Sequence, residues 1–155
     1  LHDGFAGQQT VLGFHELEHP LVPDLVLYDG GCGLCHRSVS FLARRDAAGS
    51  RFVFAPLGGE TARTRLAGTR MTVPPGTVAV LTPEGRLLTR SDAALHALSR
   101  LGGAWSLLAA AGRLVPRPLR DGAYAVVARF RRRLFAPPEG PCPRLPSALA
   151  RRFLP

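Results

Sequence analysis

The stretch Leu25–Arg45, LVLYDGGCGLCHRSVSFLARR, contains the pattern that decides the fold. It opens with four apolar residues, and a short apolar run of this kind is typical of a buried strand. The glycine pair Gly30–Gly31 then predicts a turn. After the turn, apolar residues recur at positions i, i+4 and i+7, the spacing of one helix face: Cys35, Val39 and Leu42. The stretch therefore predicts a strand, a tight turn and an amphipathic helix that begins just after Cys32.

Further strands and helices alternate along the rest of the chain. A strand–helix–strand crossover favours parallel pairing, whereas two strands joined by a short turn pair in an antiparallel manner. We therefore predict an α/β fold, a mixed sheet of about four strands flanked by helices, with extra helices toward the C-terminus. We also expect Ser91 to cap the helix that follows it. The predicted elements after the first helix are strands at 51–55, 77–82 and 86–89, and helices at 60–67, 92–101, 104–114 and 119–134.

Length and composition indicate a single folded domain. The chain has 155 residues, of which 46% are hydrophobic, enough for a sizeable core. Residues 1–22 show little periodicity and are expected to form a loosely ordered leader before one domain over 23–155, which includes the C-terminal helical extension. No basic start followed by an apolar run is visible, and the apolar stretch 107–115 is too short to span a bilayer. We expect a cytoplasmic protein without an integral membrane segment.

The net charge of +9 comes entirely from arginine on the basic side, since the chain has no lysine. The arginines are spread over many segments and lack the patterns of nucleic-acid-binding modules, so nucleic acid is not an expected partner. The one tight run, Arg129–Arg133, predicts a solvated helix face over a core of Tyr124, Val127 and Phe130. The alternative is a basic surface that rests on an anionic membrane or an acidic partner.

Two cysteines, Cys32 and Cys35, form a C-x-x-C motif at the predicted junction of strand and helix. A helix N-terminus offers unpaired N–H groups and partial positive charge, and both stabilise a thiolate, the reactive form of cysteine. We therefore expect Cys32 to be the nucleophile. Cys35, one turn later on the inner face, is expected to be less exposed and to resolve the mixed disulfide. The dithiol is itself the redox group, so the motif implies no organic cofactor, and the expected partner is a protein or small-molecule thiol or disulfide.

Two titratable residues flank the cysteines. Asp29 lies three residues before Cys32 and is a third candidate catalytic residue, because it could accept a proton from Cys35 during exchange; it could also cap the turn or the helix. His36 lies four residues after Cys32, on the same helix face. A protonated His36 would favour a thiolate, and the alternative is an exposed histidine without a role.

The pattern Asp29-x-x-Cys32-x-x-Cys35 resembles the DCC family of predicted thiol–disulfide oxidoreductases, which is named for these three residues. The resemblance covers about residues 25–154, because later segments are similar in the same order: Ser91–Ala93, 115–124, Arg129–Phe135 and Cys142–Pro143. It implies a thioredoxin-like fold and a redox role. Proteins of this fold usually place a cis-proline opposite the C-x-x-C motif, and Pro75, or its neighbour Pro74, is the candidate here. The alternative, favoured by the rarity of cis X–Pro bonds, is that both are ordinary trans turn prolines.

The principal alternative is a metal site, since C-x-x-C is also half of a zinc site. Cys142 and a histidine would have to supply the missing ligands. Cys142 stands alone between two prolines and is expected to be a bystander. The sequence His15–His19 matches H-E-x-x-H, but the surrounding glycine and proline do not favour a helix, and we interpret the match as chance. A zinc site or a non-catalytic interaction module therefore remains the alternative to a redox enzyme.

Overall fold

The computed structural model describes residues 22–67, 69, 72–139 and 145–155. The predicted leader at 1–22 lies almost wholly outside these residues, and so does Cys142. The described elements follow the predicted order, with bounds within a few residues of those expected. They are β1 (Asp24–Tyr28), α1 (Gly33–Arg45), β2 (Phe52–Pro56), α2 (Glu60–Ala67), β3 (Ala79–Leu81), β4 (Leu87–Thr89), α3 (Arg90–Leu101), α4 (Gly103–Leu114), α5 (Arg117–Leu134) and α6 (Ser147–Ala150).

The four strands form one mixed sheet in the order β2-β1-β3-β4. β1 pairs with β2 in parallel and with β3 in antiparallel orientation, and β3 and β4 form the predicted hairpin. Val26 of β1 lies opposite Phe54 on one side and Val80 on the other. The α/β prediction, with a thioredoxin-like mixed sheet and added C-terminal helices, is confirmed.

β1 is buried along its whole length because it has helices on both faces. Its alternate side chains enter two different cores. Val26 and Tyr28 pack with the inner faces of α1 and α3, whereas Leu25 and Leu27 pack on the opposite side of the sheet, where α2 lies. The predicted buried stripe of α1 belongs to the first core: Cys35, Val39 and Leu42. Because the C-x-x-C motif follows this central strand, it lies at the edge of the larger core.

The start of α3 differs from the prediction. The helix begins at Arg90, its N-cap is Thr89, and no side chain caps it. Ser91 is buried, and its hydroxyl donates a hydrogen bond to the Asp121 carboxylate of α5. The expected local capping contact is thus replaced by a contact between two helices.

The predicted inner face of α5 is wrong. Val127 and Phe130, expected in the core, are 51% and 43% exposed, whereas Arg131, expected in solvent, is buried. α5 packs on α1 and α3, and in this orientation Arg131 faces a carboxylate on the loop after β1, to which it binds. The buried face of the helix is therefore selected by a distant partner and not by its most apolar residues.

The proline-rich C-terminal region also contributes to the sheet. The backbone N–H of Phe54 donates to the Arg152 carbonyl at 2.8 Å, and Leu154 N–H donates to the Phe54 carbonyl at 2.7 Å. The Phe153 ring stacks on the Phe54 ring, with centroids 4.7 Å apart. These contacts extend the sheet beyond β2 and cover part of its outer edge.

Within the described ranges, every helix is too short or too polar to cross a membrane.

Candidate redox site

The two cysteines lie where β1 has ended and α1 begins. Cys32 is the N-cap residue of α1, with extended backbone, and its Sγ accepts a hydrogen bond from the backbone N–H of Cys35 at 3.3 Å. The Asp29 carbonyl accepts from Cys32 N–H at 3.2 Å, and the Asp29 carboxylate accepts from Gly31 N–H at 2.9 Å. A sulfur atom thus occupies the position that a serine or aspartate oxygen takes at most helix starts. Cys32 Sγ therefore has a backbone N–H donor at the positive end of the helix.

Both thiols are free and buried, with Cys32 2% and Cys35 3% exposed. The expected difference in exposure is therefore not seen: the two thiols are equally buried. The chain that leaves α5 covers this side of the motif: a Cβ added to Gly33 would overlap the Ala136 carbonyl oxygen and press on Phe135. Glycine at this position allows the close approach of the two backbones.

Burial raises the pKa of the Cys35 thiol to about 12, and the neighbouring Cys32 adds to this effect through a hydrogen bond and through its charge. A backbone hydrogen bond from Asp29 and the positive charge of Arg131 oppose the increase. At neutral pH, Cys35 is consequently a protonated thiol. It can act as a nucleophile only when a base removes its proton.

Arg131 is a site residue that the sequence analysis places in solvent. Its side chain is 8% exposed, and its Nη2 lies 3.4 Å from Asp29 Oδ2. Its charge lowers the pKa of Cys35 and of Tyr124, so it favours negative charge at the site. A signal was present in the sequence, because Tyr124, Ala128 and Arg131 have the i, i+4, i+7 spacing of one helix face.

Tyr124 reaches the same site from α5. Its hydroxyl oxygen accepts a hydrogen bond from Val78 N–H at 3.1 Å, which ties α5 to the segment before β3. Burial raises the pKa of Tyr124, so the phenol stays protonated at neutral pH. Val78 also lies beside Gly76, where an added Cβ would overlap the Arg131 guanidinium. The loop before β3 therefore forms the wall opposite the C-x-x-C motif.

The prolines of this loop are the trans turn prolines of the favoured alternative, and neither is the cis-proline candidate. Every peptide bond among the described residues is trans, including those of Pro74 and Pro75. The loop turns instead at Gly76, with φ of +74°, and Thr77 Oγ1 donates to the Pro74 carbonyl at 2.7 Å. Arg131 packs against this turn.

His36 is buried, so the alternative of an exposed histidine is wrong. Its Nε2 lies 3.0 Å from the Gly30 carbonyl oxygen, and its ring packs edge-on against Tyr28 with centroids 5.7 Å apart. The imidazole therefore links α1 to the turn before Cys32. This contact fixes the Gly30 turn that positions the two cysteines.

An apolar cavity of about 410 Å³ adjoins the dithiol between α1, α3 and α5. Cys35 lines it from α1, and Tyr124 and Arg131 line it from α5. Its volume is within the range of about 300–1,000 Å³ that is common for small-molecule sites. The cavity gives a ligand a way to reach the dithiol from the Cys35 side.

No group of three or more metal-ligating side chains occurs among the residues that the structure describes. Cys142 and the His15–His19 motif lie outside those residues. In the described part of the chain, the cysteine pair has arginine, tyrosine and aspartate as its polar neighbours.

Comparison with protein families matches residues 26–137 to the DCC1-like thiol-disulfide oxidoreductase model. The chain belongs to this family. The match includes the whole site, from β1 through the end of α5, and confirms the resemblance found in the sequence. An uncharacterized protein of Bacillus subtilis (strain 168), YuxK, is 33% identical over 132 residues, which cover 84% of this chain and 93% of the relative. No solved structure matches the chain. Family membership supports a redox role with thiol substrates.

Proposed function

We propose that this DCC1-like protein catalyses thiol–disulfide exchange with Cys32 as the nucleophile and Cys35 as the resolving thiol. The observation that carries the proposal is the hydrogen bond from Cys35 N–H to Cys32 Sγ at the first turn of α1. Cys32 Sγ has this N–H donor and lies at the helix N-terminus, whereas burial raises the pKa of Cys35 to about 12. The two thiols therefore differ in the way that a two-step exchange requires.

The reduced protein transfers two electrons to a disulfide substrate in two steps. The Cys32 thiolate attacks one substrate sulfur, the substrate S–S bond breaks, and the first thiol leaves after taking up a proton. Cys35 then loses its proton and attacks Cys32 Sγ in the mixed disulfide. The Cys32–Cys35 disulfide forms, and the second substrate thiol leaves. The same steps in reverse oxidise a dithiol substrate.

Asp29 is our candidate for the base that receives the Cys35 proton. The Asp29 backbone lowers the pKa of Cys35, and the Asp29 carboxylate stands at the same turn, where it accepts hydrogen bonds from Gly31 N–H and from Arg131. We expect Asp29→Asn to slow the second step more than the first, so that mixed disulfide accumulates. Mass spectrometry of acid-quenched reactions measures this accumulation.

Exchange at Cys32 requires access to a buried sulfur. The Ala136 backbone and the Phe135 Cβ lie directly over Gly33, within the motif. Displacement of this segment would open the motif at Gly33, next to Cys32. We propose that the segment moves when a mixed disulfide forms.

A redox titration in glutathione buffers tests the proposed function. Free thiols are alkylated and counted by mass, and zinc is measured on the same sample. We expect a reversible two-electron transition confined to Cys32 and Cys35. Stoichiometric zinc that blocks alkylation of both cysteines would refute the redox mechanism and support the metal-site alternative.

Two single variants separate the roles of the cysteines. Cys32→Ser is expected to abolish exchange, and Cys35→Ser is expected to trap mixed disulfides at Cys32. Full activity of Cys32→Ser would show that the two roles are wrongly assigned. A cytoplasmic location is part of the proposal, and cell fractionation tests it.

A further inference from the structure

The cavity beside Cys35 combines apolar walls with positive charge. Its walls include the side chains of Leu34, Phe41 and Leu98. Among the described residues that line it, the ionisable ones are Cys35, Tyr124 and two arginines, Arg37 and Arg131, and none is a carboxylate. Such a lining favours a ligand with an apolar body and an anionic group.

Arg131 supplies a second observation that points to a ligand. Its Nε is buried and has no hydrogen-bond partner among the described residues. The guanidinium contact with Asp29 uses Nη2, at the long distance of 3.4 Å. A guanidinium has five N–H donors, and a buried donor without an acceptor is unfavourable. The Asp29 contact therefore leaves hydrogen-bonding capacity of the guanidinium unused, on a side chain that lines the cavity.

Arg37 strengthens the charge preference at the same cavity. Its guanidinium lies over the Phe135 ring, 5.3 Å from the centroid. This contact places a second cation between the cavity and the segment that covers the C-x-x-C motif. The positive charge of the lining is therefore close to the dithiol, where a substrate sulfur would react.

We infer that the cavity binds a small apolar thiol or disulfide that carries a carboxylate, with the apolar body between α1, α3 and α5 and the carboxylate on Arg131. This inference rests on the proposed function and adds the chemical class of its substrate. Cys35 forms part of the cavity wall, so a ligand bound there lies against the dithiol. The exchange steps are those given above, and the cavity supplies binding and orientation.

A built-in fluorophore allows binding to be measured without turnover. Trp105 is the single tryptophan of the chain, and its ring packs edge-on against Phe41 with centroids 5.0 Å apart. Phe41 lines the cavity. Occupation of the cavity is therefore expected to change the fluorescence of Trp105.

The experiment uses the redox-inert double variant Cys32→Ser/Cys35→Ser of the full chain, titrated with decanoate and with 1-decanol below their micelle concentrations. We expect saturable binding of decanoate, at least about tenfold tighter than that of 1-decanol. Equal affinities, or no binding of decanoate, would overturn the inference. Because these probes do not undergo exchange, the result is independent of whether the wild-type protein catalyses exchange.

Added substitutions locate the binding. Ala94 is exposed at the cavity rim on α3, and Ala94→Phe is expected to abolish decanoate binding by filling the space. Arg131→Met should weaken decanoate binding about tenfold. Arg133 is an exposed arginine on the same helix, so Arg133→Met is the matched control and should bind decanoate as tightly as the parent variant. Undiminished binding to the Ala94→Phe variant would place the ligand elsewhere and refute the inference. Binding of an apolar cysteine peptide without binding of decanoate would also refute it, in favour of a peptide site.

Discussion

Arg131 Nη2 lies 3.4 Å from Asp29 Oδ2, and this contact joins residues 102 positions apart in the chain. It connects the last helix of the matched region to the aspartate of the D-x-x-C-x-x-C motif. Because Arg131 is almost fully buried, its charge is poorly screened by solvent and acts on the neighbouring thiol. The electrostatics of the cysteine pair thus depend on α5 as well as on α1.

Removal of this charge is expected to slow exchange. Arg131→Met eliminates an interaction that lowers the pKa of Cys35, so thiolate formation becomes less favourable, and we expect a decrease of about tenfold in kcat. Stopped-flow measurements with an aromatic disulfide give kcat and KM separately. The exposed Arg133→Met variant should match the wild type; an Arg131→Met variant with wild-type kcat would contradict the assigned role.

The pH dependence of stability follows from Cys35. In the unfolded chain this thiol ionises near its ordinary pKa of 9.0, whereas in the folded, reduced protein the pKa is about 12. Above pH 9 the unfolded state therefore binds fewer protons than the folded state, and the free energy of unfolding falls as pH rises. The contribution of one such group is at most about 1.4 kcal/mol per pH unit.

Denaturant titrations of the reduced protein from pH 8.5 to 10 measure this slope. The raised pKa of Tyr124 adds a slope of the same sign as the pH approaches 10, in the wild type and in Cys35→Ala alike. We expect Cys35→Ala to have a shallower slope than the wild type over the same range, whatever its stability at pH 7. Identical slopes would mean that the Cys35 pKa is not raised by folding.

Gly33 is packed so closely that even the methyl group of alanine is expected to destabilise the protein. A Cβ there meets the Ala136 backbone, so the 135–136 segment must shift, and we expect Gly33→Ala to lower the free energy of unfolding by about 1–3 kcal/mol. The shift should also speed alkylation of Cys32 by iodoacetamide. Gly58→Ala is the control, because its Cβ would have no neighbour within 4 Å and should change stability by less than about 0.5 kcal/mol.

A buried ion pair fastens the C-terminal region to α1. Asp46 Oδ2 accepts hydrogen bonds from Arg152 Nη1 at 2.9 Å and from the backbone N–H groups of Arg51 and Phe52. Arg152→Ala leaves the Asp46 carboxylate, which is fully buried, without its counter-charge. We expect a loss of about 3–5 kcal/mol in unfolding free energy, measured by urea denaturation.

Arg151 provides the comparison for this variant, since it is exposed and next in the chain. Arg151→Ala should stay within about 0.5 kcal/mol of the wild type. If both variants were equally stable, the ion pair would not be what holds the C-terminal region.

Local sequence determined the strand, turn and helix around the cysteines. β1, the N-terminus of α1 and the bounds of α2 at 60–67 agree with the prediction, because their patterns depend on neighbours within one or two turns. The spacing of Asp29, Cys32 and Cys35 likewise places all three at one helix start without help from the rest of the chain. Family membership follows from the same short motif and the order of segments after it.

The tertiary structure alone decided which face of α5 is buried and what covers the motif. Periodicity places Arg131 on one helix face with Tyr124 and Ala128, but it does not show that this face is the buried one. The Asp29 carboxylate, brought near by the packing of α5 on α1, decides that. The covering of Gly33 by Ala136 and the addition of Phe153 beside Phe54 are also contacts between distant segments. Sequence patterns report contacts within a helical turn or along a strand, whereas these contacts depend on how the finished elements pack, and that packing completed the site.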